Sequence, residues 1–113
     1  MALSAEDNQI GMVLAMTSEA YGALKTQRKR DASEALQQKL DGSAHTIAAT
    51  LSHSAALATA WELQPLVEAW TNARALAAAQ PSDAAQAAQR RCAYAIADAV
   101  QREMNRSLSP RRR

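Results

Sequence analysis

The chain has 113 residues, 28 of them alanine, and a formal net charge of +2. Leu, Ile, Val and Phe account for only 17 of the 113 residues, about 15%. A chain with high net charge is disordered when this fraction falls below roughly 20%. The low net charge of this chain nevertheless favours a folded protein. A membrane-spanning helix is not expected, because the sequence contains no run of about 18 apolar residues. We therefore expect an all-α domain whose thin core is completed by another chain or surface.

The first predicted helix begins after Ser4, whose hydroxyl can accept backbone N–H bonds, and carries Glu6 and Asp7 at its positive end. Two stripes follow, an apolar seam at coiled-coil spacing and a row of small residues that lets another helix approach closely. We expect a partner to dock on one of them. The predicted partner-binding residues are Ile10, Leu14, Tyr21 and Leu24 from the seam, with Gly11, Ala15, Ser18 and Gly22 from the small row.

Met12 and Met16 lie beside the row of small residues, away from the apolar seam. Flexible thioether side chains in such a place suit an adaptable partner surface. They equally suit a second face that is buried within the bundle. The sequence leaves both interpretations open.

Between the first and second helical patterns, the apolar seam changes register near residues 28–31. Asp31 and Glu34 resemble a new helix start, but no Gly or Pro demands a break, so one long helix and two helices meeting at Arg30 are equally compatible. Farther along, Asp41, Gly42 and Ser43 predict a helix end, because Gly suits the left-handed position after a helix.

The second half of the chain predicts further helices separated by prolines. One seam runs from Ala44 to Trp61, and Pro65 should end or kink it because proline has no N–H to donate. A short helix follows over 66–77, then a turn and cap over 80–83, then a last helix to about Arg106. We thus predict an antiparallel bundle of four or five helices over residues 1–106, with 107–113 as a flexible basic tail.

Catalytic and metal chemistry find little support in the sequence. His45 and His53 fall on the polar side of their helix, and Cys92 lies among alanines on an apolar face. Zinc and di-iron sites need clustered ligands at short spacings, and phosphate cradles need Gly-rich loops; neither pattern occurs. We expect no enzyme activity and no cofactor. Trp61 and Trp70 are predicted to anchor the core.

Arginines form the strongest candidate for a nucleic-acid interface. Arg91, Arg102 and Arg106 fall on one side of the last helix, and Arg111, Arg112 and Arg113 extend the positive charge into the tail. Such a stripe is typical of proteins that contact phosphates. Asp98 and Glu103 interrupt or adjoin it, which favours an ordinary solvated helix face instead.

The composition and seams together favour a non-catalytic interaction module, a small bacterial or phage adaptor, regulator or inhibitor that binds a protein partner or itself, most simply as a homodimer. Nucleic-acid association through the arginines is one alternative. An amphipathic coat on a lipid or polymer surface is another. A lone cysteine and the absence of a recognisable signal sequence predict a cytoplasmic location.

Overall fold

A computed structural model describes residues 3–108, with side chains placed for 3–106. Within this range the protein is all-α, as predicted. The five described helices are α1 (Ala5–Arg30), α2 (Glu34–Leu51), α3 (Ala55–Ala60), α4 (Gln64–Ala79) and α5 (Asp83–Leu108). None of the described helices is long and apolar enough to cross a membrane.

Contacts between side chains fix the directions of the three longest helices. Lys25 in the second half of α1 bonds to Asp98 of α5, whereas Ala15 in the first half of α1 lines the same groove as Met104 of α5. Against α2, Arg28 bonds to Gln37, while Val13 lines the same groove as Thr50. Sequence numbers fall on one helix as they rise on the other in both cases. Helix α1 therefore runs antiparallel to both α2 and α5.

The helix is interrupted between α1 and α2. Of the two alternatives left open by the sequence, two separate helices are therefore the correct one. Helix α1 ends at Arg30, and Ser33 rather than Asp31 caps α2, accepting a hydrogen bond from the backbone N–H of Leu36. Asp31 instead accepts a bond from the backbone N–H of Ser33. The three-residue connection lets α2 fold back along α1.

The predicted helix end at Gly42 is wrong. Helix α2 continues through Asp41, Gly42 and Ser43 to Leu51, and Gly42 does not have a positive φ. Leu40 and Ala44 on either side are buried in the core. Packing of this apolar face outweighs the cost of about 1 kcal/mol that glycine imposes within a helix.

Replacing Gly42 by alanine should therefore stabilise the protein by about 0.5–1 kcal/mol, because alanine loses less backbone entropy in a helix. A Cβ atom at Gly42 meets nothing within 4 Å. Urea unfolding of the Gly42→Ala variant measures the effect. Destabilisation would instead indicate the left-handed helix end that the sequence suggested.

The prediction for Pro65 also needs correction. The seam from Ala44 to Trp61 is divided between α2 and α3 well before the proline, at Ser54, which caps α3. Pro65 lies in the first turn of α4, where its missing N–H costs no intrahelical bond. The predicted turn before α5 is confirmed, since α4 ends at Ala79 and Ser82 accepts a bond from the N–H of Ala85.

The core is small, as its composition predicts. Among residues 3–106, six large side chains are fully buried: Leu14, Tyr21, Ile47, Leu51, Ile96 and Val100. Alanines fill the space between them, including Ala93 and Ala97, which lie on the side of α5 that faces the core. Trp70 is buried and Trp61 is half-buried against the same cluster. The thin core is thus assembled mainly from α1, α2 and α5.

Candidate interaction surface

The N-terminus of α1 is held by a network of hydroxyl and carboxylate groups. Ser4 and Asp7 form a reciprocal capping box, in which the hydroxyl of Ser4 accepts the Asp7 N–H and the Asp7 carboxylate accepts the Ser4 N–H. Ser54, the cap of α3, donates its hydroxyl to the same carboxylate at 2.7 Å. The bonds from Ser54 and Ser4 hold the pKa of Asp7 below its usual value. The first turn of α1 is therefore anchored to the start of α3.

The apolar seam predicted for docking faces the inside of the bundle. Leu14 and Tyr21 are fully buried, and Ile10 and Leu24 pack partly buried against the same core. Ser18, from the neighbouring row of small residues, is buried as well. The surface of the folded monomer therefore does not present the centre of this seam to a partner.

The row of small residues also meets the protein's own helices. A Cβ atom at Gly11 would lie 3.7 Å from Leu57 of α3, and one at Gly22 would clash with the side-chain nitrogen of Gln101. Ala15 is half-buried between them along the row. The close approach expected of small residues is thus made within the monomer, by side chains of α3 and α5.

The opposite face of α1 carries an exposed apolar surface. Met12, Val13 and Met16 are exposed by 67%, 45% and 70%. Of the two interpretations left open by the sequence for the methionines, burial within the bundle is wrong, because both side chains lie on the outside. Contiguous exposed apolar patches, unlike single scattered apolar residues, commonly mark interaction sites.

Two grooves flank this apolar surface. The first has a volume of about 680 Å³ and extends from Met12, Val13 and Met16 to Thr50 in the last turn of α2 and His53 just after it. The second, of about 390 Å³, lies between α1 and α5. It is lined by Ala15, Met16, Ser18, Glu19, Gln101, Met104 and Asn105. Met16 lines both grooves and therefore lies between them.

A polar cluster fastens the second half of α1 to α5. The hydroxyl of Tyr21 donates to the Asp98 carboxylate at 2.7 Å, and Lys25 contacts the same oxygen at 2.9 Å. Burial is the main cause, and the Asp98 carboxylate the second, of a pKa of Tyr21 that is far above its usual value. Tyr21 therefore stays protonated and acts as a hydrogen-bond donor that orients α1.

A second tyrosine makes the corresponding bond between α5 and α2. Tyr94 donates its hydroxyl to Asp41, and Gln37 donates to both groups. The two tyrosine rings lie 6.2 Å apart. Burial and then Asp41 raise the pKa of Tyr94 as well. The sequence analysis predicted neither the Tyr21–Asp98 bond nor the Tyr94–Asp41 bond. The one feature of the sequence that points to them is that Asp41 and Asp98 lie close to apolar positions of their helices.

The predicted arginine stripe is only partly available. Arg91 and Arg102 are exposed on α5, but Arg106 forms a salt bridge with Glu103 at 2.9 Å. Arg102 and Arg106 share a shallow polar groove with Glu62 and Glu103. Arg111, Arg112 and Arg113 lie outside the described residues, as does most of the predicted tail, whereas α5 itself extends to Leu108. Acidic groups therefore interrupt the positive face.

The residues that could support catalysis or metal binding are dispersed. His45 bonds through Nδ1 to the backbone oxygen of Asp41, and His53 lines the first groove without a neighbouring cysteine. Cys92 is a free, half-buried thiol. Among residues 3–106, no group of three or more His, Cys, Asp or Glu side chains is placed to hold a metal ion.

Comparison with protein families, curated proteins and solved structures finds no match to this chain.

Proposed function

We propose that the protein is a non-catalytic interaction module that binds a helical protein partner through the outer face of α1. The observation that carries the proposal is the exposure of Met12, Val13 and Met16 together on one helix face. The same helix buries its other face in the core, so it is apolar on both sides. Burying the outer face on a partner would remove this apolar surface from water.

The surroundings of the outer face support this role. The two grooves beside Met16 offer space for side chains from a partner helix. The face belongs to a 26-residue helix that is fastened at its start by the Ser4–Asp7–Ser54 network and in its second half by the Tyr21–Asp98 bond. A rigid helix presented in this way loses little conformational entropy when it binds. The finer role of adaptor, regulator or inhibitor depends on the partner.

A photo-crosslinking amino acid at Met12 tests the proposal in cells that express the protein. We expect a product of one defined mass, because Met12 borders the apolar face without occupying its centre. Leu76, exposed by 54% on α4, provides the matched control position.

Adding Val13→Lys should abolish the product from Met12, since a charge cannot be buried without a partner. Identical products from positions 12 and 76, or no product from either, would contradict the proposal.

Nucleic-acid binding is a second candidate, favoured by the exposure of Arg91 and Arg102 on α5. If phosphate contacts dominate, affinity for duplex DNA or RNA falls steeply with salt, and replacing both arginines by glutamine reduces the slope. The salt bridge of Arg106 with Glu103 reduces the positive charge at this face. The apolar face of α1 therefore remains the stronger basis for a function.

A further inference from the structure

The outer face of α1 carries a continuous heptad-like pattern that the inner seam obscures in the sequence. Residues at alternating spacings of three and four are all exposed along the full length of the helix. They are Glu6, Gln9, Val13, Met16, Ala20, Ala23, Gln27 and Arg30. We call this set the outer stripe. Such spacing places residues along one side of a helix and is the pattern by which two helices pack lengthwise.

The outer stripe is complementary to itself when a second copy runs in the opposite direction. Pairing Val13 with Ala23 of the second copy, and Met16 with Ala20, places each large side chain against a small one. The same alignment sets Gln9 opposite Gln27, so that their amides can bond. Every member of the stripe then meets a suitable counterpart.

Charge at the two ends of α1 fixes the direction of this pairing. The first turn carries Glu6 and Asp7, and the last turn carries Arg28, Lys29 and Arg30. Glu6 and Arg30 are about 36 Å apart along one helix, at 1.5 Å per residue. An antiparallel second copy brings Glu6 opposite Arg30 at each end, whereas a parallel copy would bring like charges together.

We propose that a second copy of this chain packs antiparallel on the outer stripe, with Val13 opposite Ala23 and Glu6 opposite Arg30 of the other copy. This inference rests on the proposed function, because it names the partner of the same surface. Association buries Met12, Val13 and Met16, and the twofold axis passes between the two Met16–Ala20 pairs. The interface is isologous, as is usual for homodimers.

One residue opposes the pairing and limits its strength. Glu19 is exposed beside the centre of the outer stripe, and near the twofold axis it faces its own copy. Like charges there weaken association. A single helix pair is also small compared with a standard interface, which buries roughly 1,200–2,000 Å². The dimer is therefore weak and depends on protein concentration, and Glu19→Gln should tighten it about two- to fivefold.

Charge reversal tests the direction of the pairing in the full-length protein. Glu6→Arg and Arg30→Glu should each raise the dimer dissociation constant about three- to tenfold in analytical ultracentrifugation, because each creates two like-charge contacts. Combining the two substitutions restores opposite charges and should return the constant to near the parent value. Both substitutions are unfavourable for the helix dipole, so the recovery cannot come from a more stable helix. Additive weakening in the double variant would overturn the antiparallel pairing.

Matched substitutions of exposed apolar residues test the surface. Met16→Lys should abolish the dimer, with at least a hundredfold weaker association, because it places a charge at the centre of the interface. Leu76→Lys removes a comparably exposed apolar residue from α4 and should leave the dissociation constant unchanged. Both chains should retain the parent circular dichroism spectrum. Equal effects of the two substitutions would overturn the assignment of the interface to α1.

Cross-linking tests the register on a Cys92→Ser background. A mixture of the Val13→Cys and Ala23→Cys chains should be joined by a short bismaleimide faster than either chain alone. Fastest joining of the Val13→Cys chain to itself would overturn the register in favour of a parallel pair.

The outcomes also separate this inference from the proposed function. A parent chain that stays monomeric at all concentrations, while the photo-probe at Met12 captures a different protein, overturns the dimer and leaves the interaction module in place. A monomer with no product from Met12 overturns both.

Discussion

Raising the pH from 10 to 12 is expected to destabilise the protein steeply, by up to about 1.4 kcal/mol per pH unit for each of two tyrosines. Tyr21 and Tyr94 each donate a hydroxyl proton to a carboxylate, and burial together with that carboxylate raises the pKa of each. Both tyrosines have the ordinary pKa of about 10 once the chain unfolds.

The sign follows from the raised pKa in the folded state. Below pH 10 both tyrosines are protonated in the folded and unfolded chains, so their stabilisation is complete. Above pH 10 the unfolded chain releases protons that the folded chain retains, and stability is lost as the pH rises toward the folded-state values. Loss of the proton would also place a phenolate beside Asp98 or Asp41.

Urea unfolding measured at intervals between pH 8 and pH 12 gives the slope. The control is the Tyr21→Phe/Tyr94→Phe double variant, which contains the same lysines and should show a much shallower decline. At pH 8 the double variant should lose about 1–2 kcal/mol, because two hydrogen bonds are removed while Lys25 and Gln37 still contact the carboxylates. Equal slopes in the two proteins would show that the tyrosines do not connect the helices as described.

Ile96→Ala is expected to lower the free energy of unfolding by about 2–5 kcal/mol. Ile96 is fully buried on α5, within the cluster shared by α1, α2 and α5. Its neighbours on the same helix, Ala93 and Ala97, have no side-chain atoms beyond Cβ with which to fill a cavity. A protein of this size has a total stability of about 5–15 kcal/mol, so the loss is a large fraction of the total.

Leu76→Ala provides the control for this substitution. Leu76 is an exposed apolar residue on α4, and alanine is at least as good a helix former. Its replacement should change stability by no more than about 0.5 kcal/mol. A similar effect at positions 76 and 96 in thermal or urea unfolding would contradict the division between core and surface.

The helical class and several helix boundaries could be predicted from the sequence because their causes are local. Ser4 caps α1 through a residue three positions away, and Ser82 caps α5 in the same manner. The inner seam of Leu14 and Tyr21 was visible because its spacing repeats along the helix. Gly42 was misread for the same reason: a local rule predicted a helix end, whereas burial of the flanking residues maintains the helix.

Which face of α1 is exposed could not be predicted, because the helix carries an apolar pattern on each side. The spacing of the inner seam and of the row of small residues, together with the thin core, predicted a partner there. Contacts with α2 and α5 bury that seam and leave Met12, Val13 and Met16 outside. Only the position of the neighbouring helices distinguishes the two faces.

The sequence by itself determined the helical class, the caps at Ser4 and Ser82 and the thin core, since propensity, capping and composition act over a few residues. The tertiary structure alone decided which surface is exposed and which polar groups meet. Tyr21 and Asp98 are separated by 77 residues, and Tyr94 and Asp41 by 53. Bonds between such distant residues depend on how whole helices pack, and no local pattern in a single sequence encodes that packing.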